Sequence, residues 1–249
     1  MQSSAGKVAE VTLAFWVMKI CATTVGETAG DLLSMTLDLG YGPSSALLLG
    51  LFALSLALQL RARAFHPLLY WTVILTTSTA GTTLSDFLDR SVGLGYLTGA
   101  ALLASLLVVV LLAWRWTLGG LAVDNVRSVR AESFYWTAIL VSNTLGTALG
   151  DYLADDLQLG FAAGTGLIGT AIAVTALLAL TTRTSRVALF WIAFVLTRPF
   201  GATFGDLMTK PVAAGGLALG TAGSTAVLLG LLLAVMAATY LRPAQPRPQ

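Results

Sequence analysis

Carboxylates recur at a fixed interval inside apolar sequence. Asp31, Asp86, Asp151 and Asp206 each follow a tryptophan (Trp16, Trp71, Trp136, Trp191) by fifteen residues, with a glycine (Gly26, Gly81, Gly146, Gly201) at the tenth. An ionisable side chain in a bilayer is costly and by default marks a functional site. Positions eight and eleven after each tryptophan share a helix face with the aspartate. They are Thr24 and Glu27, Thr79 and Thr82, Thr144 and Thr147, and Pro199 and Ala202. Such an all-oxygen stripe suits a hard cation such as Mg²⁺, Mn²⁺ or Ca²⁺. Without a cation, several neighbouring carboxylates cannot all stay ionised, and some take up protons. Glu27, Asp31, Asp86, Asp151 and Asp206, with Thr24, Thr82 and Thr147, form the candidate ion-binding set. It is densest in the first copy, where Glu27 and Asp31 lie one turn apart, and thinnest in the fourth.

Two cations break the pattern. Lys19 and Arg198 each lie eight residues before an acid, Glu27 or Asp206. Arg198 is expected to neutralise Asp206, because arginine stays charged, and Lys19 to compensate charge or move a proton. Against five acids, these two leave an excess of three carboxylates. A structural alternative gives each aspartate the role of a cap on a neighbouring helix N-terminus. Small residues at positions ten and fourteen (Gly26 and Gly30, Gly81 and Ser85, Gly146 and Gly150, Gly201 and Gly205) predict close helix packing. The tryptophans, preceded by Phe15, Tyr70, Tyr135 and Phe190, read as an interfacial aromatic belt.

The elements that carry these residues follow from composition and period. Of 249 residues, 56% are hydrophobic and 10% charged, which places the chain among integral membrane proteins. Apolar runs predict eight transmembrane helices near 11–37, 43–61, 67–89, 95–116, 131–154, 160–181, 187–209 and 215–241. The fold class is all-α: four parallel two-helix repeats (about 11–62, 66–117, 131–182 and 186–241) with pseudo-four-fold or two-fold symmetry. They form one membrane domain, 1–241, followed by a Pro-rich disordered tail, 242–249. The odd helices carry Thr, Ser, Gly and charge and should form the inner layer; the aliphatic even helices should face lipid. Lys and Arg gather on one side (Lys7, Arg61, Arg63, Arg115, Arg127, Arg130, Arg183, Arg186, Arg242, Arg247), leaving Arg90 and Lys210 on the other. That bias puts both termini in the cytoplasm. One His (His66) and one Cys (Cys21) exclude a His/Cys zinc site and an intramolecular disulfide. The sequence lacks the hydrolase, metalloprotease and phosphate-loop motifs, so no enzymatic activity is expected.

The repeat also carries a resemblance. Its aromatic-Trp start, Thr24–Asp31 (Thr-x-Gly-Glu-Thr-x-Gly-Asp), Leu84–Arg90 and the Leu-Gly-Tyr/Phe endings (Leu39–Tyr41, Leu94–Tyr96, Leu159–Phe161) resemble a bacterial family of uncharacterised membrane-anchored proteins. That family has four tandem two-helix repeats with a recurring Trp. The resemblance implies a bacterial inner membrane protein and brings no activity with it. The residues themselves point to cation transport, a divalent metal being the favoured cargo, through an acidic site between the odd helices, with proton coupling open. The alternative is a non-transporting binding or scaffold protein. Expected partners are the lipid bilayer and a small inorganic cation, not nucleic acid, with oligomerisation open. No covalent cofactor is expected. Single-cysteine labelling tests the orientation: probes at Arg63, Ser128 and Arg186 should react from the cytoplasm and probes at Asp89 and Asp156 from outside, and a mixed pattern would end the parallel-repeat arrangement.

Overall fold

The computed structural model describes residues 8–121, 126 and 128–241. The expected disordered tail and the cytoplasmic cations Lys7, Arg127, Arg242 and Arg247 lie outside the described residues. Eight α-helices follow in order: α1 (Leu13–Asp31), α2 (Tyr41–Arg61), α3 (Pro67–Asp86), α4 (Tyr96–Leu118), α5 (Val129–Asp151), α6 (Gly160–Thr181), α7 (Arg186–Thr209) and α8 (Thr221–Tyr240). No strand occurs among the described residues.

Local chemistry sets the ends. The hydroxyls of Thr12, Ser128 and Ser185 accept from Phe15, Ala131 and Ala188 amides and cap α1, α5 and α7. Pro67 opens α3, where a missing N–H costs nothing. The even helices start at glycines with φ of 72–79° (Gly40, Gly95, Gly160, Gly220), a conformation that only glycine adopts cheaply. In three copies the helix does not stop at its aspartate. It widens into a five-residue π-turn (Leu32–Thr36, Phe87–Ser91, Tyr152–Asp156) that delays the reversal into the next helix.

The polar helices α1, α3, α5 and α7 touch in a closed circuit, each meeting the next and α7 returning to α1. The even helices clad this ring with an offset: α2 lies on α3, α4 on α5, α6 on α7 and α8 on α1. Each outer helix thus rests mainly on the inner helix of the following copy, and the last helix locks onto the first. Leu47, Leu51, Leu54 and Leu58 of α2 stay exposed, as do Leu102, Leu106, Val108 and Val109 of α4. Continuous apolar faces of this kind belong in lipid. Five helices (α2, α4, α6, α7, α8) are long and apolar enough to cross a membrane. The polar load of α1, α3 and α5 faces the interior instead, where their threonines and acids are buried.

Glycine lets the inner helices close. Gly26 of α1 receives Ser78 of α3, Gly81 receives Asn143 of α5, Gly146 receives Arg198 of α7, and Gly201 receives Thr23 of α1. One turn on, Gly30, Gly150 and Gly205 receive Thr82, Ala202 and Glu27. A methyl group at Gly201 would lie 2.8 Å from the Thr23 backbone carbon, which has nowhere to go. The tryptophans correct one expectation. Trp71, Trp136 and Trp191 are buried inside the bundle, stacked edge-on against Tyr70, Tyr135 and Phe190, instead of forming an interfacial belt. Inner helices have no lipid-facing side to offer them.

Gly201→Ala should therefore destabilise the purified protein by about 1–3 kcal/mol through overpacking. Gly50→Ala on α2 meets nothing within 4 Å and should be neutral or slightly stabilising. Thermal unfolding in detergent reads both, and equal effects would refute the close-packed ring.

Candidate functional site

A guanidinium occupies the middle of the ring. Arg198 projects from α7, fully buried, and reaches the other three inner helices. Its Nη1 donates to Thr23 O (3.1 Å) and pairs with Glu27 Oε2 (3.2 Å) on α1. Its Nη2 donates to Ser78 O (3.2 Å) and Thr82 Oγ1 on α3, and to Thr147 Oγ1 (2.8 Å) on α5. Thr82 and Thr147 hydroxyls in turn lie 3.2 and 3.4 Å from Glu27 Oε2. Arg198 therefore pairs with Glu27 and not, as the spacing predicts, with Asp206. Eight residues is two turns along one helix, whereas Glu27 arrives at the same level from across the α1–α7 seam, beside Gly205.

Beyond this centre lie the four repeated aspartates, 95% or more buried, in two bridged sets. Lys210 Nζ sits between Asp31 Oδ2 of α1 (2.6 Å) and Asp206 Oδ1 of α7 (3.1 Å). Arg90 joins Asp86 Oδ1 of α3 (3.1 Å) to Asp151 Oδ2 of α5 (3.2 Å) and also donates to the Tyr41 hydroxyl (3.1 Å). The charge count along the sequence leaves Lys210 and Arg90 on the outer side, and each folds back one turn onto its own aspartate. With them, four cations face five acids, so the expected excess of three carboxylates falls to one. Burial disfavours the Lys210 ammonium, but Asp206 and Asp31 outweigh it and hold its pKa well above the ordinary lysine value. The signal for both was in the sequence: Asp86-x-x-x-Arg90 and Asp206-x-x-x-Lys210 are i,i+4 pairs present in the second and fourth copies alone.

Glu27, Asp31 and Asp206 each offer an oxygen within 4.8 Å of the other two, a spacing that the coordination sphere of one hard cation spans. Asp86 and Asp151 stand apart from this trio, on Arg90. Thr24 does not join either set, since its hydroxyl is spent on Ile20 O of its own helix (2.9 Å). Thr23, one residue earlier, contributes instead, through its carbonyl to Arg198 and its hydroxyl to Thr197 O (3.1 Å). The aspartates cap no helix: the even helices begin at Gly40, Gly95, Leu159 and Gly220 without a side-chain cap.

On the other side of Arg198 the interior stays polar for one more layer. The Lys19 ammonium, the Asn143 amide and the hydroxyls of Thr77, Ser78 and Ser142 are buried without a hydrogen-bond partner. Lys19 lies 4.1 Å from the centre of the Phe194 ring, a cation–π contact, and does not pair with Glu27. Below it the aromatic residues Phe15, Tyr70, Trp71, Tyr135 and Trp136 close the bundle, with the Tyr70 and Tyr135 hydroxyls 2.7 Å apart. Trp to Asp spans about 22 Å at 1.5 Å per residue. The interior thus runs from an aromatic floor through unpaired polar groups to a charged rim.

The repeat has a counterpart among known families. A model described as a Repeat of Unknown Function (DUF347) matches at residues 14–65, 69–119, 134–185 and 189–244. The chain belongs to that family. Each DUF347 repeat takes in one inner and one outer helix, and the four copies cover the ring and its cladding. Neither a curated protein nor a solved structure matches the chain.

Removing a partner from a buried ion pair costs about 3–5 kcal/mol. Arg198→Met, which strands Glu27, should therefore lower the unfolding temperature sharply. Asp206→Asn should cost no more than about 1 kcal/mol, because Lys210 is partly exposed and keeps Asp31. Thermal unfolding of the two variants decides; the reverse ranking would return Arg198 to Asp206.

Proposed function

We propose that this DUF347 protein is a cation carrier of the bacterial inner membrane, with a divalent metal as cargo and Glu27, Asp31 and Asp206 as its ligands. In this proposal all eight helices cross the bilayer, the four repeats enter in parallel about a pseudo-four-fold axis, and both termini are cytoplasmic. One observation carries it. A cation already occupies the carboxylate set, as the ammonium of Lys210, whose side chain is 21% exposed at the mouth of the bundle. A lysine is a compact charge on a flexible stem. Swung outward, it leaves three carboxylate oxygens spaced for a metal, and swung back it expels one. Lys210 then acts as a tethered competitor.

Two further features support this. Arg198 keeps its charge on the ring axis, which bars a cation from running straight through and favours a carrier over a channel. The unpartnered groups beneath it, Lys19 above all, supply a polar layer that protons or water could enter. Arg198's bonds to α1, α3 and α5 favour a second reading, in which the charges only staple a non-transporting scaffold together.

Metal-dependent stabilisation separates the two, since a ligand that binds only the folded state raises its unfolding temperature. Wild-type protein should be stabilised by Mn²⁺, Mg²⁺ or Ca²⁺. Lys210→Gln should start less stable and show the larger metal shift, and Asp31→Asn should show none. No shift with any of these ions in wild type or Lys210→Gln, together with no uptake into proteoliposomes, would leave the scaffold.

A further inference from the structure

The outer layer is open between α6 and the first inner helix. A groove of about 520 Å³ opens where α1, α6 and α7 meet, walled by Trp16 and Ile20, Ile172 and Ala176, and Phe190 and Ala193. Its polar wall atoms are few. The hydroxyls of Thr175 and Thr197 bond carbonyls of their own helices, Ala171 (2.8 Å) and Phe194 (2.7 Å), so the interior of the groove is apolar in effect.

The repeat register shows what the groove lacks and the corresponding points of α2 and α4 carry. Nineteen residues after the glycines that open α2, α4 and α6 stand Gln59, Trp114 and Ala179. Gln59 reaches across to Glu132 of α5 (3.0 Å), and Trp114 packs edge-on against Trp191 of α7 (5.7 Å between centroids). Both are buried and seal the next seam of the ring. At the corresponding point α6 offers only the methyl group of Ala179, and Trp16, facing the same groove, is the one repeated tryptophan left half-buried.

The rim is charged. Arg186, the first residue of α7, lines the groove, and Arg183 lies on the same α6–α7 connection; both are exposed. Arg186 Nη1 also donates to the carbonyl of Ala179, which holds its guanidinium at the truncated position. The free amides at the start of α7 add partial positive charge at the same rim. Glu10, beside the wall residue Val11, is an exposed acid at this end. Arginine on an apolar slot at a membrane surface matches a phosphate above an acyl chain, because the guanidinium fork binds phosphate in two-point fashion.

We propose that this groove is a binding site for an anionic phospholipid, with one acyl chain along α1 and α6 and the headgroup phosphate on Arg186. A lipid chain there fills the space that Gln59 and Trp114 fill at the corresponding points of α2 and α4. The site is independent of the cation reading, since none of its residues belongs to the acidic set.

Delipidated full-length protein in detergent tests this with phosphatidylglycerol and phosphatidylcholine of the same chain length, added separately. Phosphatidylglycerol should raise the unfolding temperature of wild type by roughly 5 °C or more at saturation, and phosphatidylcholine by clearly less. Ala179→Trp, which restores the bulk that α4 carries, should fold, start more stable and lose the phosphatidylglycerol shift. Arg186→Gln should fold and respond equally to both lipids, and it decides the matter alone if Ala179→Trp does not fold. Equal shifts from both lipids in wild type, or an unchanged preference in Arg186→Gln, would overturn the proposal.

Discussion

A charged guanidinium enclosed by four helices is tolerable only if a counter-charge and several acceptors surround it. Both Nη atoms of Arg198 find them, and its Nε alone is left without a partner. Arg198 sets that requirement, and much of the ring answers it. Glu27 supplies the charge, Thr23 and Ser78 supply carbonyls, and Thr82 and Thr147 supply hydroxyls. The reach of one side chain to three neighbours needs helices packed backbone to backbone. The glycines at positions ten and fourteen provide that approach, and Gly146 in particular makes room for the stem of Arg198 itself. The offset of outer on inner helices follows from the same closure, since each outer helix rests on the inner helix of the following copy.

Sequence repetition does not give chemical equivalence. Four aspartates occupy matching positions, yet the groups that neutralise them differ. Arg90 holds Asp86 and Asp151 with a planar fork, buttressed by Tyr41 and by ring contacts to Tyr41 and Tyr96. Lys210 holds Asp31 and Asp206 with a single rotatable ammonium and a loose contact to Met35 sulfur (3.8 Å). A fork with two fixed partners and stacked rings is built to stay. In the proposed carrier the lone ammonium at the mouth is the group that exchanges, and Glu27 adds a third carboxylate on that side alone. The proposal thus divides the interior into a fixed half and an exchangeable half.

Most of the scaffold was legible in the sequence because helix period and membrane length are local properties. Eight helices, their order and the positions of the small residues all follow from spacing along the chain. Partners across the ring do not. Glu27 and Arg198 are 171 positions apart, and only the level at which α1 meets α7 decides that they pair. Thr24 fits the stripe by spacing, but its hydroxyl bonds its own backbone, an option that local spacing does not reveal. The tryptophans show the limit of composition: an aromatic pair near a helix end looks the same whether that helix faces lipid or three other helices. Arg90 and Lys210 were within reach, since an i,i+4 acid–base pair is a local signal, but the charge count uses them only to set orientation.

The exchange at Lys210 is the centre of this account, and the reactivity of its own amine measures it. An ammonium held between Asp31 and Asp206 should react slowly with an acylating reagent, and a metal that takes its place should release it. Mass spectrometry of purified protein should show faster acylation of Lys210 as Mn²⁺ or Ca²⁺ is added, with the acylation of Lys7 unchanged as the internal reference. Labelling of Lys210 that does not respond to any divalent ion, or that slows in step with every other amine, would contradict displacement and with it the carrier.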